Sequence, residues 1–86
     1  MIRIVKAVQT CWACPSQWDA WTDTGEQLYL RYRYGCGTVS RVLGDGSRKL
    51  IVDFEFGDPM DGSIGLEEFC REAGLTLKAP GVRYGA

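Results

Sequence analysis

Two alternating runs joined by a short turn constrain this sequence more than any other feature. The runs cover residues 17–22 and 27–34, and both are rich in the aromatic and aliphatic side chains that suit a pleated strand. Between them, residues 23–25 read Asp-Thr-Gly, which suits a three-residue loop whose last position needs a positive φ. The pattern predicts a β-hairpin in which Thr22 pairs with Glu26.

This register divides the hairpin side chains between two faces, because side chains alternate along a strand. We expect the core face to carry Trp18, Ala20, Leu28, Leu30, Tyr32 and Tyr34. The opposite face mixes aromatic rings, guanidinium groups and a carboxylate. Flat rings can stack on a ligand and arginine can grip phosphate or carboxylate in a bidentate manner. The candidate binding residues are Trp21, Tyr29, Arg31, Arg33 and Asp19.

A structural interpretation of the same face competes with the binding interpretation. Trp21 and Tyr29 could instead pack under a helix, while the arginines pair with Asp19, Asp53 or Glu55 across the sheet. The sequence leaves both interpretations open.

The rest of the chain predicts more strands and one helix. Strands are expected at residues 2–9, 38–43 and 48–56, and a helix at 66–73 that ends at Gly74. The first strand could pair with the hairpin or with the 48–56 strand. The predicted fold class is α+β: a small antiparallel β-sheet or half-open barrel of four or five strands with one short C-terminal helix.

The predicted strand at 48–56 alternates without interruption. Leu50, Val52, Phe54 and Phe56 are expected on one face, in a central or next-to-edge strand. Residues 75–77 could add a short strand, and residues 79–86 are expected to form a loosely held tail.

Length and charge limit the classes of protein to consider. Eighty-six residues predict a single domain, 1–86, with a small core, and the net charge of -1 lacks the excess of one sign typical of a DNA-coating protein or a DNA mimic. No apolar run approaches the roughly 20 residues that a membrane span needs, and the N-terminus lacks the apolar core of a signal peptide. We expect a cytoplasmic chain, and a homodimer that covers the exposed aromatic side chains.

Four cysteines suggest a zinc site as an alternative role. Cys11 and Cys14 have the CxxC spacing of a metal knuckle, and Cys36 with Cys70 would complete a tetrahedral set. The second pair is split by 33 intervening residues, however, and Cys70 lies on the apolar stripe of the predicted helix. Buried or incidental thiols are the preferred interpretation, with no cofactor expected.

Catalysis is not expected from this sequence. It has no histidine, no glycine-rich phosphate loop between a strand and a helix, and no nucleophile-elbow string.

Two strings resemble small uncharacterised proteins encoded by phages and prophages of actinobacteria. They are PSQWDAWTDTGEQLYLRYRYGCGTV, at residues 15–39, and LEEFCREAGLTL, at residues 66–77, and they cover roughly half of the chain. The resemblance implies an accessory protein made inside the bacterial host cell, and it transfers no catalytic residue. We therefore expect a non-catalytic protein that binds and modulates or inhibits a host protein, such as a defence protein. The alternatives are a binder that sequesters a nucleotide-type small molecule and a zinc-stabilised interaction module.

Overall fold

A computed structural model describes residues 2–11, 16–57, 64–77 and 82–84 of the chain. These residues form a curled mixed sheet, a half-barrel, with one short helix, which confirms the predicted α+β class. The elements are β1 (Arg3–Cys11), β2 (Ser16–Thr22), β3 (Gln27–Arg33), β4 (Cys36–Val42), β5 (Arg48–Glu55), α1 (Leu66–Ala73), β6 (Thr76–Leu77) and β7 (Val82–Tyr84).

The sheet is larger and more mixed than the predicted four or five antiparallel strands. Its order is β5-β4-β3-β2-β1-β6, and β7 also pairs with β1. Strands β1 to β5 form an antiparallel series, so the first strand pairs with the hairpin and not with β5. Both β6 and β7 run parallel to β1. The chain after the helix therefore returns to the edge of the sheet where it began.

The central hairpin has the predicted register. Trp18 lies opposite Leu30 and Ala20 opposite Leu28. The backbone N–H of Thr22 donates to the carbonyl of Glu26 at 2.9 Å, which closes the three-residue loop. Gly25 has a φ of 88°, the left-handed conformation that its position in the loop requires.

The core lies between the helix and one face of the sheet, which we call the inner face. From the hairpin and β4, the inner face buries Trp18, Ala20, Leu28, Leu30, Tyr32 and Val39. From the helix, Phe69 places its ring 5.6 Å from the Trp18 ring and 5.0 Å from the Phe54 ring, measured between centroids. Phe69 therefore joins the centre of the sheet to its β5 edge.

The helix has the predicted bounds and the predicted buried stripe. Leu66, Phe69, Cys70 and Ala73 are all buried. It ends at Gly74, which has a φ of 78°, and the N–H of Leu75 then donates to the Cys70 carbonyl at 2.8 Å. Among the described residues no helix has the length and apolar character needed to cross a bilayer.

Tyr34 does not belong to the core, contrary to the prediction. It lies in the turn between β3 and β4, and 47% of its surface is exposed. Strand β3 ends at Arg33, so the alternation of side chains no longer determines on which face Tyr34 lies.

The position of β5 also differs from the prediction. The strand is at the edge of the sheet, not central or next to the edge, and it ends at Glu55. Its pairing with β4 contains a bulge, so that Val52 lies opposite Val39 but Leu50 lies opposite Ser40. Leu50 is consequently on the face opposite Val52, with 55% of its surface exposed.

Residues 82–84 of the segment that was predicted as a loose tail form β7. Val82, Arg83 and Tyr84 pair with Ala7, Val8 and Gln9 of β1. Residues 79–81 and 85–86 lie outside the described residues.

Candidate binding surface on the outer face of the sheet

The predicted binding residues share the face of the sheet that points away from the helix, which we call the outer face. Asp19 lies opposite Tyr29, and Trp21 opposite Gln27, in positions that alternate with the buried inner-face residues. Arg31 and Arg33 alternate in the same way along β3. Helix α1 packs on the inner face, so the interpretation that it covers Trp21 and Tyr29 is wrong.

Each of the two outer-face aromatic rings has a cation above it. The Lys6 ammonium lies 4.9 Å from the centroid of the Trp21 ring, and the Arg48 guanidinium lies 4.0 Å from the centroid of the Tyr29 ring. Cation–π pairs at exposed sites are worth about 0.5–1 kcal/mol, enough to bias the position of a long side chain. The rings therefore orient positive charge on this face.

Sequence patterns did not identify Lys6 and Arg48 as part of the surface. Both belong to strands outside the hairpin, and each reaches its ring through strand pairing. Alternation alone assigns a residue to a face of its own strand, and the strand order is needed to place it beside another.

Arg31 and Arg33 line a groove at the other end of this face. The groove has a volume of about 340 Å³, and its remaining walls are Tyr34, Cys36 and Thr38. The Arg33 guanidinium lies 4.6 Å from the centroid of the Tyr34 ring and donates a hydrogen bond to the Tyr34 hydroxyl at 3.1 Å. The structure thus brings the two predicted arginines together with Tyr34, but it separates them from Trp21, which does not line the groove.

Tyr34 holds an uncommon backbone conformation in this groove. It has a φ of 52° and Gly35 a φ of 74°, so the two residues connect β3 and β4 with the backbone of a type I′ turn. Asparagine and glycine favour the first position of such a turn, whereas an ordinary side chain there costs about 1–2 kcal/mol. A tyrosine at this strained position suggests that its ring takes part in binding at the groove.

We expect Tyr34→Asn to raise the free energy of unfolding by roughly 0.5 kcal/mol. The relief of left-handed strain exceeds the roughly 0.5–1 kcal/mol that an exposed cation–π pair returns. Urea denaturation measures the change, and Tyr34→Phe is the matched control, since it keeps the strain and removes only the hydroxyl. A less stable Tyr34→Asn variant would show that the contacts of the ring outweigh the strain of the turn.

Acidic residues flank the groove on the β5 side. Asp53 lies opposite Thr38 and Glu55 opposite Cys36, and both line a second groove of about 390 Å³. They are two strands from Arg31 and Arg33, roughly 10 Å across the sheet. The outer face thus presents a basic strip beside an acidic one.

Arg31 does not form the predicted ion pair with either of these carboxylates. Arg31 has no salt-bridge partner among the described residues. The salt bridge between Arg41 Nε and Glu26, at 2.7 Å, lies elsewhere, because Arg41 is opposite the inner-face residue Leu28. A guanidinium group without an ion-pair partner in the described part of the chain remains available to an anionic ligand.

The three cysteines that the structure describes do not come together in a metal site. Cys36 is exposed on the outer face, whereas Cys70 is buried on the helix at the inner face. Burial raises the pKa of the Cys70 thiol to about 12, so it stays protonated at neutral pH and is a poor metal ligand. Cys11 is in β1, three strands from β4, and Cys14 lies outside the described residues. Cys36 and Cys70 therefore cannot share one zinc ion, and the described residues contain no group of three potential metal ligands.

Comparisons with protein-family models, with curated proteins and with solved structures find no match. The function is therefore inferred from the outer face itself.

Proposed function

We propose that this is a non-catalytic binding protein that docks an acidic surface of a host protein on its outer face. The observation that carries the proposal is the arrangement of four cations on one side of the sheet, three of them held over aromatic rings. The four cations are Lys6, Arg31, Arg33 and Arg48. Aromatic residues and arginine are the types enriched at protein interfaces.

The spread of the cations favours a protein over a small ligand. Lys6 is in β1 and Arg48 in β5, which are four strand spacings apart, roughly 19 Å across the sheet. A drug-sized molecule is instead mostly enclosed by one pocket. A protein surface can contact the whole width of the sheet at once.

The resemblance to phage and prophage proteins supports a bacterial host protein as the partner. Under this proposal the chain acts in the cytoplasm of the host cell, and it modulates or inhibits the protein that it binds. A small chain without histidine suits steric blocking better than chemistry. A host defence protein is the partner class that we propose.

We expect the double variant Arg31→Ala with Arg33→Ala to weaken partner binding by at least about tenfold. Removal of interface charges mainly slows association, and the binding that remains should be less sensitive to salt than that of the wild-type protein. The immobilised protein is used to isolate its partner from an actinobacterial lysate, and the dissociation constant is then measured with the purified partner by biolayer interferometry.

Arg71→Ala is the matched control, because Arg71 is an exposed arginine on the helix, away from the outer face. It should bind like the wild-type protein, and thermal unfolding should show that all variants fold. A double variant that binds the purified partner with wild-type affinity would overturn the proposal.

A nucleotide-type small molecule is the second candidate, favoured by the Arg31 and Arg33 groove with the Tyr34 ring at its wall. The volume of about 340 Å³ is at the lower end of the range for ligand pockets. Native mass spectrometry of protein purified from cells tests this candidate. A mass excess of nucleotide size that disappears on denaturation, and that Tyr34→Asn abolishes, would favour it over a protein partner.

A further inference from the structure

Strand β5 is the most exposed strand with described side chains, and it forms one edge of the sheet. Among the described residues, β5 pairs only with β4, so its other backbone edge has no partner strand. Five of its eight residues are exposed, and Leu50 has 55% of its surface accessible. An open edge with an exposed apolar side chain is a template for another strand.

The charges of β5 are ordered along the strand. It begins with the basic residues Arg48 and Lys49, and its last half contains the acidic residues Asp53 and Glu55. In an antiparallel pair, the start of each strand lies beside the end of the other. Two copies of β5 would therefore place basic residues beside acidic residues twice, once on each side of the two-fold axis.

The bulge in β5 decides the register of such a pair. It leaves Ile51 without a direct partner in β4, and the alternation of side chains changes face at that point. The residues that share the outer face are Arg48, Leu50, Asp53 and Glu55, and those that share the inner face are Lys49, Val52 and Phe54.

Residues directly opposite each other in a ladder share a face. That condition is met when Ile51 and Val52 of both copies surround the two-fold axis. Arg48 then lies opposite Glu55 of the second copy, and Leu50 opposite Asp53. The same register would join the outer faces of both copies on one side of a continuous sheet.

We propose that the protein forms a homodimer by antiparallel pairing of β5 with β5, in which Arg48 of each copy contacts Glu55 of the other. In the single chain the Arg48 guanidinium lies 4.0 Å from the centroid of the Tyr29 ring, so in the dimer it leaves that ring and turns toward the open edge. Bulges and charged residues on edge strands can also prevent pairing. A single sign of charge would repel a second copy, whereas β5 carries both signs in a self-complementary order. One pair of edge strands buries less surface than a standard interface, so the dimer is a weak one that forms at micromolar concentrations.

Charge reversal in β5 tests the dimer. Arg48→Glu places two carboxylates opposite each other, and Glu55→Arg places two guanidinium groups opposite each other, so each single variant should weaken the dimer by at least about tenfold. An equimolar mixture of the two single variants should form a heterodimer, because both of its contacts join opposite charges. The double variant with both substitutions should recover the homodimer. Sedimentation velocity over a concentration series measures all four samples.

The controls are Arg71→Glu and Glu72→Arg, which make the same changes of charge on exposed helix residues. They should dimerise like the wild-type protein. A wild-type protein that is monomeric at 100 µM, roughly the upper end of the expected range, would overturn the proposal. A dimer that none of the β5 variants weakens would overturn it as well. Loss of partner binding in the Arg31 and Arg33 variant is measured separately, so the two proposals can fail independently.

Discussion

Phe69→Ala is expected to remove a large part of the stability of this protein. Phe69 is fully buried and its ring contacts both Trp18 and Phe54, so its truncation leaves a cavity where the helix joins the central and edge strands. Phenylalanine-to-alanine changes in cores cost about 3–5 kcal/mol. A domain of this size has a total stability of about 4–13 kcal/mol.

Urea denaturation followed by tryptophan fluorescence measures this loss, since Trp18 is one of the two rings beside Phe69. Glu68→Ala is the control at the neighbouring exposed position, and it should change stability by less than about 0.5 kcal/mol. Phe69→Leu should fall between the two, because it keeps most of the apolar volume. If Phe69→Ala unfolds within about 1 kcal/mol of the wild-type protein, the helix does not contribute to the core as the structure indicates.

The hairpin and the helix could be predicted because short segments specify them. Gly25 at the end of a three-residue loop determines the register of β2 and β3, and every cross-strand pair follows from it. Gly74 determines the end of the helix in the same local manner. These features need no knowledge of distant parts of the chain.

The edge position and the bulge of β5 could not be predicted from that strand alone. Residues 50–52 read Leu-Ile-Val, an apolar run that does not reveal which residue is extra, and only the pairing with β4 shows that it is Ile51. The parallel pairing of β6 and β7 with β1 is equally non-local, since more than 60 residues separate these strands in sequence. Contacts of this kind depend on the packing of the whole sheet.

Only part of the candidate site could be predicted, because the rest of it also depends on the structure around the strands. Alternation assigned Arg31 and Arg33 to the outer face, and the structure places them together in one groove. The third aromatic residue of the site, Tyr34, was predicted in the core because alternation continues past the end of β3. A positive φ at a tyrosine has no signal in the sequence, so the turn that exposes this ring was missed.

Gly37→Ala is the second substitution with a large expected effect, and it tests how tightly β4 and β5 pack. A methyl group at Gly37 would lie 2.1 Å from Cζ and 2.3 Å from Cε1 of the Phe54 ring. The ring cannot simply withdraw, because the Phe69 ring packs against it with an edge contact at 5.0 Å. Overpacking of this kind costs about 1–3 kcal/mol, which exceeds the roughly 0.5–1 kcal/mol that alanine gains over glycine in a strand.

We therefore expect Gly37→Ala to lower the free energy of unfolding by about 1 kcal/mol in urea denaturation, which is the overpacking cost less the gain of alanine over glycine. Gly44→Ala is the control, because a methyl group there meets no atom within 4 Å. A double-mutant cycle with Phe54→Ala identifies the cause. If the clash with the ring is responsible, the loss from Gly37→Ala should largely disappear when Phe54 is already alanine. A loss that persists in the Phe54→Ala background would show instead that the backbone of β4 requires glycine at this position. Unchanged stability in the single variant Gly37→Ala would mean that the Phe54 ring can move away from Phe69 at no cost.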